Sequence, residues 1–262
     1  MAIVRTDEWL INSSGKPDQV CNKLIALFPK ATSREIFFHL TNHGMYQFNS
    51  GAKEIIEQMR KKRIWETVAE RYKKLKEGWK GPDIPVFIFP ADWRNRRLQA
   101  EFNGKGGLAY KDKLFLFLLP HHSNEEIEAL LTHEYNHVCR MEKLRKNEEE
   151  ATLIDAMVFE GLAEYAVGEC VGKAYQANWT TYYTERQIEM FWQRYLSPNL
   201  SITRDDPRHN RLLYGAGFYP KMLGYAVGLE IINRCLKRKN VHFERLMSLS
   251  AEKIVQIAEF PK

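Results

Sequence analysis

Two histidines four residues apart enclose a glutamate in the pentad His133-Glu134-Tyr135-Asn136-His137, an H-E-x-x-H arrangement. On an α-helix, residues i and i+4 share a face, so both imidazoles can offer a ring nitrogen to one metal ion. Glu134 follows the first histidine by about 100° of helical rotation, which sets its carboxylate beside that ion. Two neutral nitrogen donors, an open coordination position and an adjacent general base are the parts of zinc-assisted hydrolysis. The competing reading is two surface histidines on an amphipathic helix.

The flanking residues favour the chemical reading. Ser123-Asn124-Glu125-Glu126 reads as a capping box, with Ser first and Glu three residues later. Beyond it Ile127, Leu130, Leu131, Tyr135 and Val138 recur at helical spacing and form one apolar face. The pentad therefore falls well inside a helix of about five turns running from Asn124 towards Glu142.

A zinc hydrolase takes a third protein ligand, usually from another element. Residues 143–150 are rich in Lys, Arg and Glu and suit a solvated loop or a frayed helix end. The next stretch carries Leu153, Ala156, Met157, Phe159, Leu162 and Ala163, enough apolar surface for a buried helix. Glu160 and Glu164 lie four apart on it, and carboxylates are rarely buried unless paired or bound to a metal. Glu160 reads as the third ligand. Glu164 then reads as an acceptor for the outer N–H of a ligand histidine, which fixes its tautomer and basicity. The bland reading is a surface-facing Glu pair.

The pentad followed by Glu160-Gly161-Leu162-Ala163-Glu164-Tyr165 resembles the gluzincin metallopeptidases, and most closely the YjaZ-like group of predicted zinc-dependent proteases. The resemblance covers about residues 83–236. It implies a zincin-like catalytic domain in which the first Glu of the second segment is a ligand. Residues 138–159 separate the two motifs, a little more than in the thermolysin-like and aminopeptidase-like branches, and Phe159 stands where the family pattern has Asn. A longer loop at 143–150 absorbs the difference. No third histidine of metzincin type follows, since residues 138–147 contain neither His nor Gly. Tyr225-Ala226-Val227-Gly228 resembles the Tyr-x-x-Gly segment that carries a catalytic tyrosine in aminopeptidase-like members. The resemblance thus implies Tyr225 as donor to a developing oxyanion. Tyr219 and Tyr214 compete for that role, and His209 suits the thermolysin-like version of it. The plain alternative is that these glycines serve close helix packing and the tyrosines are half-buried core.

Other elements must position these groups. Residues 84–90 read as a short strand bounded by prolines, and Asn103-Gly104-Lys105-Gly106-Gly107 as a turn-forming cluster. Residues 110–113 read as a hairpin turn and 114–119 as a buried strand. The resemblance gives this strand region the role of an edge to which a peptide adds. The glycine cluster fits no phosphate-cradling loop. Residues 18–28, 33–40, 52–79, 181–196 and 244–259 read as helices, with 52–79 a single long one. His39 and His43 read as helix-end residues and His121-His122 as the loop into the Ser123 cap.

The 262 residues carry 39 Lys and Arg against 33 Asp and Glu, a formal charge of +6. The basic runs, such as Arg60-Lys61-Lys62-Arg63, are local and suit solvated faces, and no nucleic-acid motif accompanies them. Four widely spaced cysteines without C-x-x-C suit reduced thiols, and no signal peptide or membrane span is visible, so the cytoplasm is expected. Nothing in the sequence sets an oligomeric state.

The sequence therefore predicts an α+β, helix-dominated fold with a small sheet preceding the pentad helix. Residues 1–82 form an N-terminal helical region and 83–262 a zincin-like domain, or the two are one continuous domain. One Zn²⁺ per chain is expected on His133, His137 and Glu160, with Glu134 as base and a peptide or protein as substrate. Nucleic acid is not expected as a partner. The alternative is a non-catalytic metal- or partner-binding protein on the same scaffold.

Overall fold

The computed structural model describes residues 2–14, 16–47, 51–144 and 150–260, which divide into two compact units, Met1–Val138 and Cys139–Lys262. The fold is α+β and helix-dominated, with one three-stranded sheet among the described residues.

In the first unit the helices are α1 (Thr6–Asn12), α2 (Pro17–Cys21), α3 (Ser33–Asn42), α4 (Ala52–Lys61), α5 (Ile64–Trp79) and α6 (Arg96–Phe102). Strand β1 (Val86–Pro90) precedes α6, and β2 (Gly106–Ala109) and β3 (Leu114–Leu118) follow it, leading into α7 (Asn124–Leu144). The sheet order is β1-β3-β2, so β3 is central. β1 runs parallel to β3, with Phe87 opposite Phe115 and Phe89 opposite Phe117. β2 is antiparallel to β3, with Gly107 opposite Leu116. β1 and β3 are buried throughout, which matches their continuous apolar runs. The chain start joins this sheet: Ile3 bridges Val86 in parallel, and Thr6 Oγ1 donates to the Ile88 carbonyl.

The single helix expected over 52–79 is instead two. Arg63 adopts a left-handed conformation (φ 59°, ψ 39°) and separates α4 from α5. The apolar stripes explain the break. Ala52, Ile56 and Met59 are buried on α4, and Ile64, Trp65, Val68, Tyr72 and Leu75 on α5. At about 100° per residue, Met59 and Ile64 would point about 140° apart on one continuous helix. Breaking the helix lets both stripes face the core.

The second unit is helical: α8 (Leu153–Cys170), α9 (Glu185–Phe191), α10 (Pro207–Tyr214), α11 (Leu223–Leu236), α12 (Phe243–Leu246) and α13 (Ala251–Ala258). Two expected helices are shorter or divided here. Over 181–196, α9 begins only after Thr184, whose backbone and hydroxyl both bond to Gln187, and continues as a π-helical turn Trp192–Leu196. Over 244–259, Ser250 caps a new helix by accepting from the Lys253 N–H, which separates α12 from α13. In the first unit, the stretch at 18–28 is α2 followed by a 3₁₀ segment, Asn22–Leu27. The core of α8 against α11 depends on glycine. A Cβ on Gly161 would meet the Gly228 backbone and the Leu229 nitrogen, and a Cβ on Gly228 would meet the Met157 backbone.

Candidate metal centre

α7 starts as its sequence dictates. The Glu126 N–H donates to Ser123 Oγ at 3.1 Å and the Ser123 N–H to Glu126 Oε2 at 2.8 Å, a reciprocal capping box. Ile127, Leu131, Tyr135 and Val138 are fully buried, and Leu130 is partly so. Tyr135 fixes the helix further: its hydroxyl donates to the Pro82 carbonyl at 2.8 Å and its ring stacks on Trp79. His133 and His137 follow one another along the helix face, with ring centroids 4.8 Å apart and planes at 86°. His133 is partly exposed, while His137 and Glu134 are buried. The polar stretch expected at 143–150 falls largely on residues 145–149, outside the described residues.

α8 opens on a second capping box, in which the Thr152 N–H and hydroxyl both donate to Asp155 Oδ2 at 2.9 and 2.7 Å. Two turns on, Glu160 is partly exposed and Glu164 is buried. One Glu164 oxygen accepts from the Ala177 N–H at 2.5 Å, so this carboxylate also holds the chain after α8. One ligand atom each of His133, His137 and Glu160 lies within 4.8 Å of the other two. Two imidazole nitrogens and a carboxylate oxygen are a donor set that zinc takes in hydrolytic sites, with bonds of about 2.0–2.2 Å. The donor types therefore fit the ion. Among the described residues no other three His, Cys, Asp or Glu side chains converge in this way.

Tyr225 is on α11, where the backbone approach at Gly161 and Gly228 brings it to Glu160. Its hydroxyl is hydrogen-bonded to Glu160 and Tyr214, and its ring packs edge-on against Trp179 at 5.4 Å. Desolvation, then the Glu160 charge and Tyr214, hold this phenol protonated well above the usual tyrosine range. The other candidates lie nearby in sequence but differ in setting. Tyr214 is exposed, with its ring 5.5 Å from that of Tyr225. Tyr219 packs against Tyr195 and lies under Arg211. His209 is buried on α10, with Nδ1 3.1 Å from Asn210 Oδ1 and no hydrogen-bond partner for Nε2.

His122, read from the sequence as loop, is a buried tie. Its Nδ1 accepts from the Leu119 N–H at 3.0 Å and its Nε2 donates to the Asn103 carbonyl at 2.8 Å, which defines a neutral imidazole. Burial pushes its pKa down to about 4. Asn103 in turn donates to Glu126 Oε1, so the turn before β2 is fastened to the first turn of α7. No local sequence signal shows this, because the partners are up to 23 residues apart. His43 behaves as a helix-end residue, its Nδ1 donating to the His39 carbonyl at 2.8 Å.

His133, His137 and Glu160 thus form a group that could hold a metal ion. The chain belongs to the family described as "Predicted Zn-dependent protease (DUF2268)", whose model matches residues 64–256. It is 38% identical over 255 residues to "Uncharacterized protein YjaZ" of Bacillus subtilis (strain 168), covering 96% of this chain and 97% of that one. No solved structure matches it.

Proposed function

We propose that the protein is a zinc-dependent peptidase of gluzincin type, holding one Zn²⁺ on His133, His137 and Glu160. The observation that carries this reading is the convergence of those three donors beside Glu134; the family's description supports it. When bound, the ion supplies Lewis-acid polarisation and lowers the pKa of water to about 7. Glu134 accepts the proton of the attacking water at a carboxylate oxygen and returns it to the leaving amine. Glu134 is buried, which limits its contact with bulk solvent. Glu164 orients its surroundings as a buried acceptor.

Tyr225 has two readings. Its O–H, protonated at neutral pH, can donate to the oxyanion of the tetrahedral intermediate, and must then swing from Glu160 to the substrate oxygen. The hydrogen bond to Glu160 favours a second role, in which the phenol aims that carboxylate. A non-catalytic metal-binding role explains the three donors but leaves the buried Glu134 without purpose.

The substrate class is a peptide or protein. No helix of the described residues is long and apolar enough to cross a membrane. None of the four cysteines is in a disulfide, and the cytoplasm is kept as the proposed compartment. Metal analysis of wild type and His137→Ala tests the centre. About one zinc per chain, lost in the variant, is the expected result; zinc in neither protein would sink the proposal.

A further inference from the structure

We infer that Gly107 is a positioning residue for Glu134, the empty place of its side chain forming the slot in which the carboxylate is held. A Cβ built on Gly107 would lie 2.3 Å from Glu134 Cγ, with Cδ and Oε1 each 2.5 Å away. Ordinary contact needs about 1 Å more. The main chain of β2 therefore lies directly against the glutamate that follows the first pentad histidine.

The conformation of the strand does not require this glycine. Gly107 is not among the residues with positive φ, and it pairs with Leu116 in a regular antiparallel register. Glycine in a strand interior costs stability because it packs nothing and loses more entropy than other residues on ordering. What remains is the need for space. Gly104, three residues earlier, is a different case: its φ of 70° suits the turn itself.

The same strand is set in register with α7. His122 holds the Asn103 carbonyl, and Asn103 holds Glu126 on the first turn of α7, eight residues before Glu134. Strand and helix are thus fastened at one end, and Gly107 sits where the fastened strand passes the carboxylate. A base must be held within about 0.5 Å of its productive position to keep its advantage. A methyl group at position 107 displaces it by more than that.

This inference rests on the peptidase reading for its catalytic meaning, although the contact itself does not. The test is a double-substitution cycle. Gly107→Ala should leave zinc content at one per chain and lower kcat about 10–100-fold, with KM little changed. It should lower the thermal midpoint of the wild type, yet have little effect in a Glu134→Ala background, where the clashing atoms are gone. An equal drop in both backgrounds would show that the glycine serves the strand and overturn the inference. Normal kcat in Gly107→Ala would overturn it as well. A wild type that binds no zinc or cleaves no peptide would instead remove the peptidase reading, while the thermal cycle still reads the contact.

Discussion

Gly161 on α8 and Gly228 on α11 face each other so closely that neither has room for a Cβ. Each glycine stands beside a residue of the candidate centre: Glu160 precedes the first, and Tyr225 lies one helical turn before the second. The approach of the two backbones is what brings the phenol to the carboxylate. Gly161→Ala or Gly228→Ala should cost about 1–3 kcal/mol, the usual cost of overpacking, read by urea unfolding. Zinc affinity should fall with stability, since Glu160 shifts with its helix. Unchanged stability in both variants would mean that the two backbones can separate freely.

Glu134→Gln retains shape and hydrogen-bonding reach but removes basicity. Zinc should remain bound while peptide hydrolysis falls by orders of magnitude. Substantial turnover by this variant would refute the base assignment.

The two α8 carboxylates should separate cleanly. Glu160→Ala should lose most of the zinc affinity, because one of three donors is gone. Glu164→Ala should weaken zinc about 10–100-fold and also destabilise the fold by about 1–3 kcal/mol, since the Ala177 N–H loses its buried acceptor. Equilibrium zinc titration with thermal unfolding reads both. Normal zinc binding by Glu160→Ala would move the third ligand elsewhere, with Glu164 or His209 the next to test.

Tyr225→Phe discriminates between its two readings. An oxyanion donor predicts a fall in kcat of about 10²–10³ with zinc and substrate affinity nearly unchanged. A residue that aims Glu160 predicts that zinc affinity falls together with rate. Tyr214→Phe and Tyr219→Phe are the controls, and a defect confined to His209→Gln would favour the thermolysin-like arrangement instead.

His122 gives the fold a pH dependence with a definite sign. Its folded pKa of about 4 lies below the ordinary value of 6.5. Between those values the unfolded chain binds a proton that the folded chain does not, so stability is full above pH 6.5 and declines as pH falls towards 4. The group accounts for about 3 kcal/mol across that window. In His122→Phe the decline between pH 6.5 and 4 should flatten, as measured by chemical unfolding at several pH values. An undiminished slope would assign the acid sensitivity to other groups.

What was legible in the sequence was local. The pentad helix, its Ser123 cap and the two apolar strands follow from spacing and from side chains that bond within three residues. Breaks imposed by the core were not legible. Nothing in Arg60-Lys61-Lys62-Arg63 resembles a helix terminator, and the left-handed Arg63 exists because two apolar stripes out of phase must both be buried. Gly107 read as part of a turn, since glycine is common in turns and its partner Glu134 is 27 positions away. Tyr225 was singled out only by family resemblance. Its nearness to Glu160 depends on helix packing that no single-sequence pattern encodes.

The pairing of the chain start with β1 fixes an order in time. Ile3 finds its partner in Val86, and β1 is itself held by β3, which begins at Leu114. At synthesis rates of about 5–20 residues per second, the first strand partner emerges several seconds after the segment that needs it. Until then Ala2 and Val4 have no Val86 main chain to bond, and Thr6 has no Ile88 carbonyl. The helices before β1 can form locally in that interval, but the central sheet closes late. Loop closure over about eighty residues carries an entropic cost that the helices, built on local contacts, do not bear.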